Sequence, residues 1–219
     1  MFLKKESRLL FIGDSVTDCG RDYTAQPASY SSLGNGYVSL INAALTAIYP
    51  EYRIMVINKG VNGNDVLRLN DRWQKDVIEL KPDYVSILIG VNDVWRQFDS
   101  VFKHREDLVN LEEYRQKYQE LIDKTKSQVE QIFIVSPVMF EPNLNDPMRA
   151  QVDCYRQVAE ELATKNHLLY IDLQRAVDRF LISTSSYVLT QDRVHPNLQG
   201  HMLFANTWLN RVDFDWERG

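Results

Sequence analysis

Short, nearly continuous apolar runs alternate along this chain with longer stretches in which apolar residues recur every three to four positions. The runs at residues 9–12, 53–58, 84–89, 132–136 and 168–172 have strand length, and their lack of strict alternation predicts strands buried on both faces. Between and after them, helical periodicity marks residues 37–48, 65–80, 111–129, 147–166 and 199–210. Each crossover is long enough to hold a helix, as a parallel connection requires. The predicted fold is α/β: a three-layer α/β/α sandwich around a central parallel five-stranded sheet.

Polar punctuation supports these boundaries. Asp146-Pro147 places a capping acid before a first-turn proline, and Asn64-Asp65 precedes the apolar period Val66, Leu69, Trp73 and Val77. Trp73 and Trp208 fall on the core faces of their helices. With no internal repeat, low-complexity tract or Pro/Gly/Ser linker, residues 1–219 are expected to form a single domain. The charged stretch 101–110 is expected to be an exposed loop or short helix, with His104 solvated.

Composition narrows the function. The 219 residues carry a formal charge of −5 and a pI near 5.4, which argues against a nucleic-acid partner. The apolar stretch near the N-terminus is too short for a secretion signal, and no run is long enough for a transmembrane helix, so no membrane partner is expected. Cys19 and Cys154 stand far apart with no zinc-finger spacing, which fits a reducing cytoplasm and no structural zinc. Cys19, four residues from Ser15, reads as a small buried residue or as a reactive thiol.

In open α/β sheets the ligand site lies beyond the carboxyl ends of the strands. There the chain places "GDSVTD" after the first run, "NKGVNGND" after the second, "IGVNDVWR" after the third and "QDRVHPN" before the last helix. Ser15 is the candidate nucleophile, with Gly13 as the exit that presents its hydroxyl. Asp192 and His195, three apart, can hold an imidazole with one nitrogen on a carboxylate and the other free for a hydroxyl. Pro196 is expected to open the last helix just behind them. Gly63 and Asn92 are candidate donors to an oxyanion, beside the backbone N–H of Ser15. Taken singly, Gly63 reads equally as a positive-φ turn and Asn92 as a helix cap.

Other chemistries lack their signatures. There is no Gly-x-Ser-x-Gly elbow, no Walker loop and no Gly-x-Gly-x-x-Gly. Asp14, Asp18 and Asp93 form no recognisable metal motif, so neither metal nor cofactor is expected. Asp14, Thr17 and Asp18 are read as supports of the turn after the first strand.

The ordered blocks "GDSVTD", "NKGVNGND", "IGVND" and "DRVHPN" resemble those of the SGNH hydrolase superfamily, the GDSL esterases and lipases, across essentially the whole chain. Val16 stands where the family's name has leucine. The resemblance implies a flavodoxin-like sandwich with Ser15 as nucleophile, His195 and Asp192 as base and orienter, and Gly63 and Asn92 as oxyanion donors. Longer stretches such as "FIGDSVTDCGRD" and "DRVHPNLQGHM" are most similar to bacterial intracellular acetylxylan esterases. That similarity implies a small acetylated carbohydrate as substrate.

Rival readings are a lysophospholipase or thioesterase acting on longer acyl chains, and a non-catalytic carbohydrate-binding protein. Trp95 and Arg96 serve either as pocket walls or as ordinary helix residues. His201 is expected to matter for stability rather than chemistry. A homo-oligomer stays open, with Tyr187 and Trp216 as candidate surface aromatics.

Overall fold

The computed structural model describes residues 1–99, 101 and 107–218; His104 and most of the charged stretch around it lie outside them. Its strands are β1 (Arg8–Gly13), β2 (Met55–Gly60), β3 (Tyr84–Leu88), β4 (Gln131–Val135) and β5 (Leu169–Ile171). They form one parallel sheet in the order β2-β1-β3-β4-β5. That is the flavodoxin-like doubly wound order. The helices are α1 (Ser15–Asp18), α2 (Tyr37–Ile48), α3 (Val66–Asp76), α4 (Val91–Phe98), α5 (Leu111–Thr125), α6 (Pro147–Lys165), α7 (Leu173–Leu181) and α8 (Leu198–Arg211).

The two-residue period of a strand divides each apolar run between two cores. Leu9 and Phe11 of β1 pack with Tyr37, Val38, Ile41, Phe204 and Trp208 of α2 and α8. Leu10 and Ile12 face the other way, onto Val66, Leu69, Trp73, Tyr114 and Tyr118 of α3 and α5. Both tryptophans are buried with their indole N–H groups satisfied, Trp73 by Thr125 Oγ1 at 2.9 Å and Trp208 by Ser86 Oγ at 3.0 Å. Burying a large apolar side chain of this kind contributes about 1.5–3 kcal/mol, provided its polar atom keeps a partner.

The predicted caps are in place. Asp65 Oδ1 accepts from Arg68 N at 2.9 Å and Asp146 Oδ1 from Arg149 N at 3.0 Å. Three helices escaped the periodicity reading, α1, α4 and α7, because runs of four, eight and nine residues hold too few turns for a stripe to stand out. Several boundaries need correction: β2 lies two residues beyond the run at 53–58, α3 and α5 end four residues before the predicted 80 and 129, and α8 begins at Leu198 under an Asn197 cap rather than at Pro196. Pro196 instead bridges Thr190 in an antiparallel contact. Among the described residues, no helix is long and apolar enough to cross a membrane.

Register aligns the exits. Gly13 of β1 lies opposite Gly60 of β2 and Leu88 of β3, and Leu88 opposite Val135 of β4. The loops that follow therefore emerge along one edge, where the motif blocks meet.

Candidate active site

The chain leaves β1 through Gly13, where an added Cβ would lie 2.3 Å from the Leu88 carbonyl oxygen and 2.5 Å from Thr17 Oγ1. Glycine is required there because β3 and the first turn of α1 close upon it. Asp14 follows as the cap of α1, accepting from Val16 N at 3.0 Å. Burial raises its pKa to about 6, and the Val16 N–H opposes that rise. Ser15 is thus the first helical residue, held at the sheet edge by a buried capping acid.

The turn before α8 brings the histidine. His195 Nε2 lies 2.8 Å from Ser15 Oγ, and His195 Nδ1 lies 2.6 Å from Asp192 Oδ2. Because a carboxylate only accepts, the proton sits on Nδ1 and the Nε2 lone pair faces the serine hydroxyl. The other oxygen of Asp192 accepts the backbone N–H groups of His195 at 2.7 Å and Val194 at 3.0 Å. Partial burial raises the Asp192 pKa, but the hydrogen bonds from His195 and Val194 outweigh it and hold the carboxyl below its ordinary value. Thr190 Oγ1 closes the turn, donating to the His195 carbonyl at 2.7 Å. Nothing in the sequence singled out Thr190; its role depends on the turn's folding back on itself.

The loops after β2 and β3 meet beside this row. Gly63 has φ +73°, so a side chain there would strain the backbone. α4 grips this loop at three points: Asn92 Nδ2 donates to Asn64 O at 2.9 Å, Asp93 Oδ1 accepts from Val66 N at 3.0 Å, and Arg96 donates to the Gly63 carbonyl. Arg96 also pairs with Asp65, the cap of α3. Arg96 sits one turn beyond Asn92, and that i, i+4 spacing is the signal that could have tied it to the site. A cavity of about 150 Å³ is lined by Gly63, Asn92, Trp95, Arg96 and Asp99. The Trp95 ring stands 5.7 Å from that of His195, edge to face. Both Trp95 and Arg96 are therefore walls of this cavity.

The acids Asp14, Asp18 and Asp93 have separate jobs. Asp14 caps α1, Asp18 accepts from Arg21 N at 3.1 Å and Asn62 N at 3.0 Å, and Asp93 holds α3. Asp93 is buried with Oδ2 unpartnered among the described residues, and burial raises its pKa to about 8. Among those residues no group of three or more His, Cys, Asp or Glu could hold a metal ion. His201 lies apart from the Ser15–His195–Asp192 row. Its Nδ1 accepts from Tyr37 N at 3.2 Å, and its Nε2 lies 3.2 Å from Cys19 Sγ.

A doubly wound parallel sheet carrying a hydrogen-bonded serine, histidine and carboxylate at its carboxyl edge defines an acyl hydrolase of the SGNH class. The model of the GDSL-like Lipase/Acylhydrolase family matches residues 11–203, and the chain belongs to that family. It is 44% identical, over 96% of each chain, to an acetylxylan esterase of Geobacillus stearothermophilus. The crystal structure of a catalytic mutant of Axe2, an acetylxylan esterase from the same organism, superposes with a TM-score of 0.96 at 42% identity, covering 100% of both chains. LAE5, an alpha/beta hydrolase enzyme from the metagenome of Lake Arreo, superposes with a TM-score of 0.95 at 41% identity over 98% of each chain. The chain is a carboxylic ester hydrolase.

Proposed function

We propose that this enzyme removes acetyl groups from acetylated sugars, xylo-oligosaccharides foremost, through an acetyl-Ser15 intermediate. The observation that carries the reading is the continuous row Ser15 Oγ, His195 Nε2 and Nδ1, Asp192 Oδ2, with spacings of 2.8 and 2.6 Å. Ser15 Oγ attacks the acetyl carbonyl carbon while His195 Nε2 takes the hydroxyl proton. The carbonyl oxygen gathers the negative charge, and the backbone N–H groups of Ser15 and Gly63 and the amide of Asn92 stabilise it. Collapse of this intermediate breaks the bond to the sugar oxygen, which leaves with the proton from His195. Water then attacks the acetyl-enzyme, His195 again takes the proton, and acetate departs as Ser15 is restored. Asp192, kept ionised, holds the tautomer and stabilises the imidazolium.

The acetyl assignment draws on the relatives' activity and on the cavity beside Asn92. At about 150 Å³ it lies below the roughly 300–1,000 Å³ of ordinary ligand pockets, which suits a short acyl group. A series of p-nitrophenyl esters tests it: kcat/KM should be highest for acetate and fall steadily with length. A preference above about eight carbons would replace this reading with that of a lysophospholipase or thioesterase. The two unpaired cysteines, Cys19 and Cys154, support a cytoplasmic site of action.

A further inference from the structure

A second hollow, of about 320 Å³, opens at Ser15 and is lined by Asp18, Cys19, Gly20, Arg21, Tyr23 and Asn62. It shares no lining residue with the cavity beside Asn92; the adjacent Asn62 and Gly63 divide the two. We propose that this hollow is the subsite for the alcohol half of the ester, a pyranose ring with neighbouring free hydroxyls. The proposal rests on the acetyl-sugar reading above and assigns the sugar a place.

The hollow is built around one carboxylate. Asp18 is 5% exposed, and it accepts from Arg21 N, Asn62 N and the hydroxyl of Tyr23. These bonds join the turn after α1 to the loop after β2, so the two walls are fixed relative to Ser15. A carboxylate so engaged is a fixture rather than a base.

What the walls present is suited to a sugar. Arg21 Nε donates to the Gly60 carbonyl at 2.7 Å, and its guanidinium carbon lies 4.2 Å from the centre of the Tyr23 ring. Its two terminal amino groups make no hydrogen bond among the described residues. A planar cation held at Nε and against a ring, with its terminal donors open, can serve two vicinal hydroxyls at little ordering cost. Tyr23 is 56% exposed and offers the rest of its ring to the apolar C–H edge of a pyranose. An acyl chain in this hollow would strip water from the Arg21 donors and return no acceptor, a cost that a hydroxylated ring avoids.

The test compares wild type with Tyr23→Ala and Arg21→Lys on acetylated xylobiose and on p-nitrophenyl acetate. The ratio of kcat/KM for the sugar ester to that for the aryl ester should fall about tenfold or more in Tyr23→Ala, mainly through KM. Arg21→Lys keeps the charge but loses the planar fork, and should lower the same ratio by a smaller factor. Xylobiose should inhibit wild-type aryl-acetate hydrolysis competitively, with a Ki about tenfold weaker in Tyr23→Ala. Ratios within about twofold of wild type in both variants, or equal losses on the two substrates, overturn the subsite. Stronger competition by glycerol phosphate than by xylobiose would overturn it too, in favour of an anionic alcohol. A wild-type enzyme that cleaves the aryl ester but not acetylated xylobiose overturns the carbohydrate reading itself, which separates the two failures.

Discussion

His195 and His201 stand six residues apart around the start of α8, and the fold gives them opposite tautomers. His195 meets a carboxylate at Nδ1, so its proton is held there and the Nε2 lone pair faces Ser15. His201 meets a donor at Nδ1, the N–H of Tyr37, so its proton sits on Nε2 and points to Cys19 Sγ. Tyr37 opens α2 behind Gly36, which has no side chain to cap it; His201 supplies the acceptor from another helix. Exposure differs as well. The His195 side chain is 41% exposed, whereas His201 is 3% exposed and burial pushes its pKa down from the ordinary 6.5 to about 4. In the proposed reaction the first imidazole takes a proton during turnover, whereas burial keeps the second neutral in the core.

Breaking the first arrangement should have the largest effect. His195→Ala, like Ser15→Ala, should lower kcat on p-nitrophenyl acetate by about 10⁴–10⁶-fold while leaving the thermal midpoint nearly in place. Asp192→Asn keeps the shape of the turn but removes the acceptor that selects the tautomer. Its kcat should fall by about 10³–10⁴-fold, with wild-type levels of soluble, folded protein. Asn92→Ala leaves both histidines alone and removes a single donor, for an expected loss of about 10²–10³-fold in kcat. An unchanged kcat would reduce Asn92 to the grip it keeps on Asn64 O.

Breaking the second arrangement should act on stability instead. His201→Leu strands the Tyr37 N–H, which should cost about 1–3 kcal/mol in chemical denaturation and keep kcat within about tenfold of wild type. The pH dependence sharpens the comparison. A histidine whose pKa is lowered by folding contributes stability that is present above its unfolded value of 6.5 and lost as pH falls toward about 4. The stability gap between wild type and His201→Leu should therefore narrow over that interval. A gap that is constant from pH 7 to pH 4 would mean that His201 is not held neutral by burial.

Much of this was legible beforehand because the signals are local. Apolar runs, the Asp65 and Asp146 caps and the Asp-x-x-His spacing each report on a few consecutive residues, and all appear in the folded chain. The misses share a physical cause. α1, α4 and α7 are too short to display a period, and Pro196 sits at a place where a first-turn proline and a bridge partner look alike in sequence. The sequence marks Gly13 as the exit that presents the Ser15 hydroxyl, yet the need for glycine there arises from Leu88, 75 positions away. Arg96, Thr190 and Asp18 owe their roles to partners that only folding supplies.

The sequence by itself determined the layers, the strand exits and the residue types that line them, since hydrophobic period and turn chemistry act over a few residues. Only the tertiary structure decided which tautomer each histidine holds, which distant partners fix the buried acids and how the space around Ser15 is divided. Those properties depend on burial and on hydrogen-bond partners far apart in the chain, and a side chain acquires its tautomer and its charge from what it meets there.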